Sequence, residues 1–159
     1  MRLVICLIVP LLTSTWLAAC APTPVEDPAV LERGHYLVQL AGCNDCHTEG
    51  YIENGGKVPE QEWLKGNRRG WHNAEGTTYA ANLRLLLSQI DEEQWVKLAR
   101  TMRAKAPMVW YRLREMKEPD LRAIYRYVRW LGPAGKPAPP PLPAGVTPPE
   151  PFINFPAVH

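Results

Sequence analysis

The chain has no large excess of either charge sign, no internal repeat, no run that alternates like a strand, and no cysteine to spare for a structural bridge. Lys and Arg number 18 against 16 Asp and Glu, so the basic surplus expected of a nucleic-acid binder is missing and that class is set aside. The lack of period-two patterning gives no positive sign of a strand. Four cysteines are present. Cys6 and Cys20 lie in the opening segment, while Cys43 and Cys46 share one short motif. A small chain without a disulfide benefits from another staple for its modest core.

The opening segment reads as targeting sequence. Met1 and Arg2 form a positive tip, residues 3–12 are almost wholly apolar, and Leu17-Ala18-Ala19-Cys20 closes the run. The apolar run is too short to span a bilayer and has signal-peptide length. Its last four residues resemble the lipobox of bacterial lipoproteins. That resemblance implies cleavage after residue 19, acylation of Cys20, and a lipid-anchored, periplasm-facing protein of the bacterial cell envelope. Ala21 matches the pattern of outer-membrane retention. An ordinary secretory signal, with Cys20 a chance residue, is the alternative.

Residues 20–28 then form a Pro-rich tether. A first helix is expected over about 29–40, stopped by Gly42. Residues 48–82, rich in Gly, Asn and charge, read as loop with short helical turns. Asp91 and Gln94 form a capping box for a helix presenting Trp95, Leu98, Ala99 and Met102 on one face. A last helix begins near Pro119, repeats Leu121, Ile124, Tyr125, Val128 and Leu131, and stops at Gly132-Pro133. The domain thus covers 29–132. Residues 133–159 hold ten prolines and are expected to be an extended tail, touching the surface through Phe152, Ile153 and Phe155.

The motif Cys43-Asn44-Asp45-Cys46-His47 has the spacing of covalent haem c attachment. Two thiols three residues apart on one helical turn can reach the two vinyl groups on a porphyrin edge, and the next residue offers its imidazole to the iron. A zinc site would want a second Cys or His pair, and His35, His72 and His159 are scattered singly. A thioredoxin-type pair belongs beside a strand in a βαβ unit, which is not seen here.

The stretch from Arg33-Gly34-His35-Tyr36 through Cys46-His47-Thr48 resembles the opening of a small class I c-type cytochrome. Tyr79-Ala80-Ala81-Asn82-Leu83, Ala106-Pro107-Met108-Val109-Trp110 and Asp120 to Tyr125 extend the likeness. It is similar to exported cytochromes related to the cytochrome subunits of bacterial alcohol dehydrogenases. The resemblance implies an all-α fold whose first and last helices cross beside one haem. Gly34 and Tyr36 against Tyr125 and Val128 would suit that crossing.

For the iron's sixth ligand, Met108 follows Pro107 in a non-helical segment and also matches the family's position. Met116, His35, His72 and an open site are the alternatives. The family often has Met-Pro where this chain has Met108-Val109, which removes a restraint on Met108. Trp71, Tyr79 and Trp110 are candidate pocket residues, and Asn82 is a candidate propionate partner. Met–His ligation raises the reduction potential and favours electron transfer over oxygen or peroxide chemistry.

Charge is unevenly spread. Residues 26–62 carry eight acidic and two basic side chains, and residues 97–129 carry ten basic and three acidic. The basic face at 97–129 suits an acidic redox partner. The expected function is a membrane-anchored electron carrier. A haem enzyme or gas-binding protein with an open sixth site is one alternative, and a structural docking module of a larger redox complex, bound through its tail, is another.

Overall fold

The computed structural model describes residues 26–156. The signal segment, Cys20 and most of the tether lie outside these residues. Helix α1 spans Pro28–Leu40, with Pro28 in its first turn and the Asp27 carboxylate accepting from the Ala29 amide, so the tether ends earlier than residue 28. Helix α2 is the motif itself, Cys43–His47. After a 3-10 turn at Glu60–Glu62 come strands β1, Gly70–Asn73, and β2, Gly76–Tyr79. Helices α3, Leu83–Ser88, α4, Glu92–Thr101, α5, Trp110–Glu115, and α6, Glu118–Leu131, follow. Strands β3, Leu142–Pro143, and β4, Phe152–Asn154, come from the Pro-rich segment.

The all-α expectation is therefore wrong: the described residues form six α-helices with a four-stranded mixed sheet, an α/β arrangement. The strand order is β3-β2-β1-β4. The β1–β2 hairpin is antiparallel, β3 joins β2 antiparallel, and β4 joins β1 in parallel. Strands of two to four residues are too short to display alternation. Half of the sheet also comes from a segment more than 60 residues away, where proline masks strand propensity. The tail is accordingly part of the domain. Phe152 meets the His72 ring edge-on at 5.8 Å, and the Phe155 amide donates to the His72 carbonyl at 2.8 Å. Ile153 is exposed.

The hydrophobic core centres on the crossing of α1 and α6, with Val38, Leu121, Ile124 and Val128 almost fully buried. Gly34 lies at the contact. A Cβ there would stand 2.2 Å from the Ala123 carbonyl oxygen and 2.5 Å from the Tyr127 Cβ. The crossing is as expected, but its partners are Ala123 and Tyr127. Tyr36 is half exposed, beneath the Arg33 guanidinium. Because the obstacle is backbone, Gly34→Ala must push the helices apart. We expect a loss of about 2 kcal/mol in denaturant unfolding, with an unchanged dependence on denaturant concentration.

The capping box of α4 forms as read, with the Asp91 carboxylate and the Gln94 side chain each accepting the other's amide. Trp95 fixes α4 to α6 by donating from Nε1 to the Leu121 carbonyl at 2.8 Å.

Candidate functional site

Between α6, the α4–α5 segment and α2 lies a cavity of about 480 Å³. Cys43, Cys46 and His47 form part of its wall, with Met102, Met108 and Met116 from the later helices and their connections. The rest is mainly aliphatic, supplied by Val38, Leu64, Leu87, Ile124 and Val128 among others. Such a lining binds a largely apolar group and excludes water from it.

His47 is held from two sides. Its Nδ1 lies 2.7 Å from the Ala81 carbonyl oxygen, so this nitrogen carries the proton and donates. The neutral ring then keeps its lone pair on Nε2, the tautomer a metal-ligating imidazole needs. Burial pushes the His47 pKa down and outweighs the Ala81 bond, which pulls it up, so the net effect favours an uncharged ring. The backbone of the motif is tied down as well. The Gly66 amide donates to the His47 carbonyl at 2.8 Å, and the Thr48 hydroxyl links the Asn44 side chain to the Leu64 amide.

Both motif cysteines are reduced thiols. Burial, with the Asp45 carboxylate adding to it, pushes the Cys43 pKa up to about 11 and raises that of Cys46. A thiol-redox pair needs the opposite, a thiolate stabilised near neutral pH. No three His, Cys, Asp or Glu side chains converge on one point among the described residues. Two partly buried thiols and a pinned imidazole on the wall of an apolar cavity do fit a porphyrin bonded through Cys43 and Cys46.

Of the other expected pocket residues, Trp71 on β1 and Tyr79 on β2 line the cavity. Trp110 does not. It lies outside, with the Arg103 and Arg114 guanidiniums 4.3 and 5.3 Å from its ring centre. Asn82 is not on the wall either. Its side chain caps α3 by accepting from the Leu85 amide and donates to the carbonyls of Ala134 and Lys136. His35 stacks on Trp63 at 5.3 Å and His72 bonds Thr77 Oγ1 at 2.9 Å, both away from the cavity. Met102 is the C-cap of α4 and not an interior residue of that helix.

Sequence reasoning missed much of the wall, including three residues of distinct character. Lys105 and Arg112 are its charged members, and Pro141 reaches it from the tail. The Ala81 carbonyl was also missed, since a backbone acceptor leaves no trace in residue type. Compared with models of protein families, with curated proteins and with solved structures, the chain finds no match.

Proposed function

We propose that the chain is an electron carrier that would hold one haem c through thioether bonds to Cys43 and Cys46, with His47 and Met108 as the residues that would ligate its iron. The observation that carries this reading is the His47 ring, buried on the cavity wall beside two reduced thiols, its Nδ1 fixed to the Ala81 carbonyl and its Nε2 left to coordinate. When bound, the haem supplies a one-electron Fe(II)/Fe(III) couple. The chain's own part is to orient the ligands and keep water out. The aliphatic walls from α3, α4 and α6 do the second.

The basic face supports an acidic partner, over a narrower region than 97–129. Arg122 and Arg126 are paired with Glu92, and Arg122 also with Glu93 and Glu118. Lys97, Arg103, Lys105, Arg112 and Lys117 have no carboxylate partner among the described residues. Lys105 and Arg112 stand on the cavity wall next to Met108, where a redox partner would dock. Anchoring to a membrane of the bacterial envelope through lipidated Cys20 rests on the lipobox resemblance alone.

The test is chemical. When the full chain is exported from a host competent in cytochrome maturation, its pigment should stay with the polypeptide through acid–acetone precipitation. Pigment that washes out, or a purified protein with no Soret absorption, would overturn the reading.

A further inference from the structure

We propose that the C-terminal segment belongs to the iron-ligand machinery: through Asn82 it fixes the Ala81 carbonyl that orients His47. The inference rests on the haem reading above. Ala81 C=O and Asn82 N–H belong to one planar peptide unit, so any rotation at Asn82 tilts the carbonyl that accepts from His47 Nδ1.

Asn82 is only 4 % exposed, and both hydrogens and the oxygen of its carboxamide are engaged. Oδ1 accepts from the Leu85 amide at 3.0 Å, and Nδ2 donates to the carbonyls of Ala134 at 2.8 Å and Lys136 at 3.1 Å. The tail therefore grips this residue by two bonds from more than 50 positions away. On the other side the same stretch is held by the Asn67 amide donating to the Ala80 carbonyl and the Leu83 amide donating to the Leu64 carbonyl. Gly135, between the two gripping carbonyls, has φ +78°, and a Cβ there would lie 3.0 Å from Asn82 Nδ2. The tail can approach this closely only as glycine.

A carbonyl that accepts from a ligating imidazole makes the ring a stronger electron donor and stabilises the oxidised metal. Loosening the grip should raise the reduction potential. Asn82→Thr keeps an oxygen to cap α3 but lacks the two donors to the tail. Gly135→Ala leaves Asn82 intact and displaces the tail. Phe152→Ala serves as the control, because it weakens β4 without touching Asn82.

Matured full-length proteins would be compared by redox titration, each sample also being precipitated with acid–acetone. The expected result is covalent pigment throughout, a potential higher than wild type in both Asn82→Thr and Gly135→Ala, no further rise in the double variant, and no change in Phe152→Ala. Unchanged potentials in the first two, or an equal rise in Phe152→Ala, would overturn the inference. A rise in Asn82→Thr without one in Gly135→Ala would do so too, since the effect would then belong to the helix cap. If Asn82→Thr fails to accumulate, Gly135→Ala against Phe152→Ala decides alone. Pigment lost from wild type would instead sink the haem reading itself.

Discussion

Met108→Ala should abolish the far-red absorption band that marks methionine bound to oxidised haem iron, and should let cyanide or carbon monoxide bind quickly, whereas Met102→Ala and Met116→Ala should keep the band. All three methionines line the cavity, so proximity alone does not choose among them. Their backbones differ. Met102 is tied to the end of α4 by its amide bond to the Leu98 carbonyl at 2.8 Å, and Met116 to the end of α5 through Leu113 at 3.2 Å. Met108 lies in the connection between those helices, where its amide donates to the Lys105 carbonyl at 3.2 Å. A connecting segment can present a thioether to the cavity without disturbing a helix, and the two flanking methionines then act as flexible packing. Complete loss of the band in Met108→Ala, with the pigment still covalent, is the expected outcome. A band that survives in this variant and vanishes in one of the others would reassign the ligand, and fast cyanide binding by the wild type would favour an open-site protein over a carrier.

The parts of this molecule that could be read in sequence are those governed by local chemistry. The capping box at Asp91 and Gln94, the limits of α6 set by Pro119 and Gly132, and the thiol–imidazole motif each depend on residues a few positions apart. The helix crossing follows from the cytochrome resemblance, and Gly34, which could also have been merely a tolerated helix glycine, is the residue that permits it. What escaped depends on distant pairing. The sheet joins a hairpin at 70–79 to two fragments of a proline-rich tail, and none of the four strands is long enough to show a face. Asn82 illustrates the limit well. Its residue type suggests a polar contact, with a haem propionate as the candidate partner, yet its two donors go to carbonyls of a segment whose prolines read only as an extended tail on the surface.

Arg84→Met should destabilise the fold by about 2–4 kcal/mol, a large share of the 5–15 kcal/mol typical of a small domain. Arg84 is 7 % exposed and pairs with no carboxylate among the described residues. Its guanidinium donates instead to three backbone carbonyls: from Nε to Gly132 at 2.6 Å, from Nη1 to Gln61 at 2.8 Å, and from Nη2 to Leu131. Burial lowers its pKa, but an arginine remains charged throughout the working range. Two of the three acceptors close the C-terminus of α6, where the helix dipole is negative and the last carbonyls lack partners within the helix. Methionine of similar length would fill the space and leave those partly buried carbonyls without their donors, at a cost of up to about 1–3 kcal/mol each where water does not replace the guanidinium. Arg84→Lys should recover less than half of the loss, since one ammonium cannot span carbonyls contributed by both the 61 and 131–132 segments. The same side chain fixes Gly132 two residues before Ala134, so Arg84→Met should also slacken the tail's hold on Asn82 and raise the reduction potential in the direction expected for Gly135→Ala. Urea unfolding of the matured protein gives the first quantity and redox titration the second. A stability loss under 1 kcal/mol would mean that water replaces the guanidinium at little cost, and that the end of α6 is held by its apolar face alone.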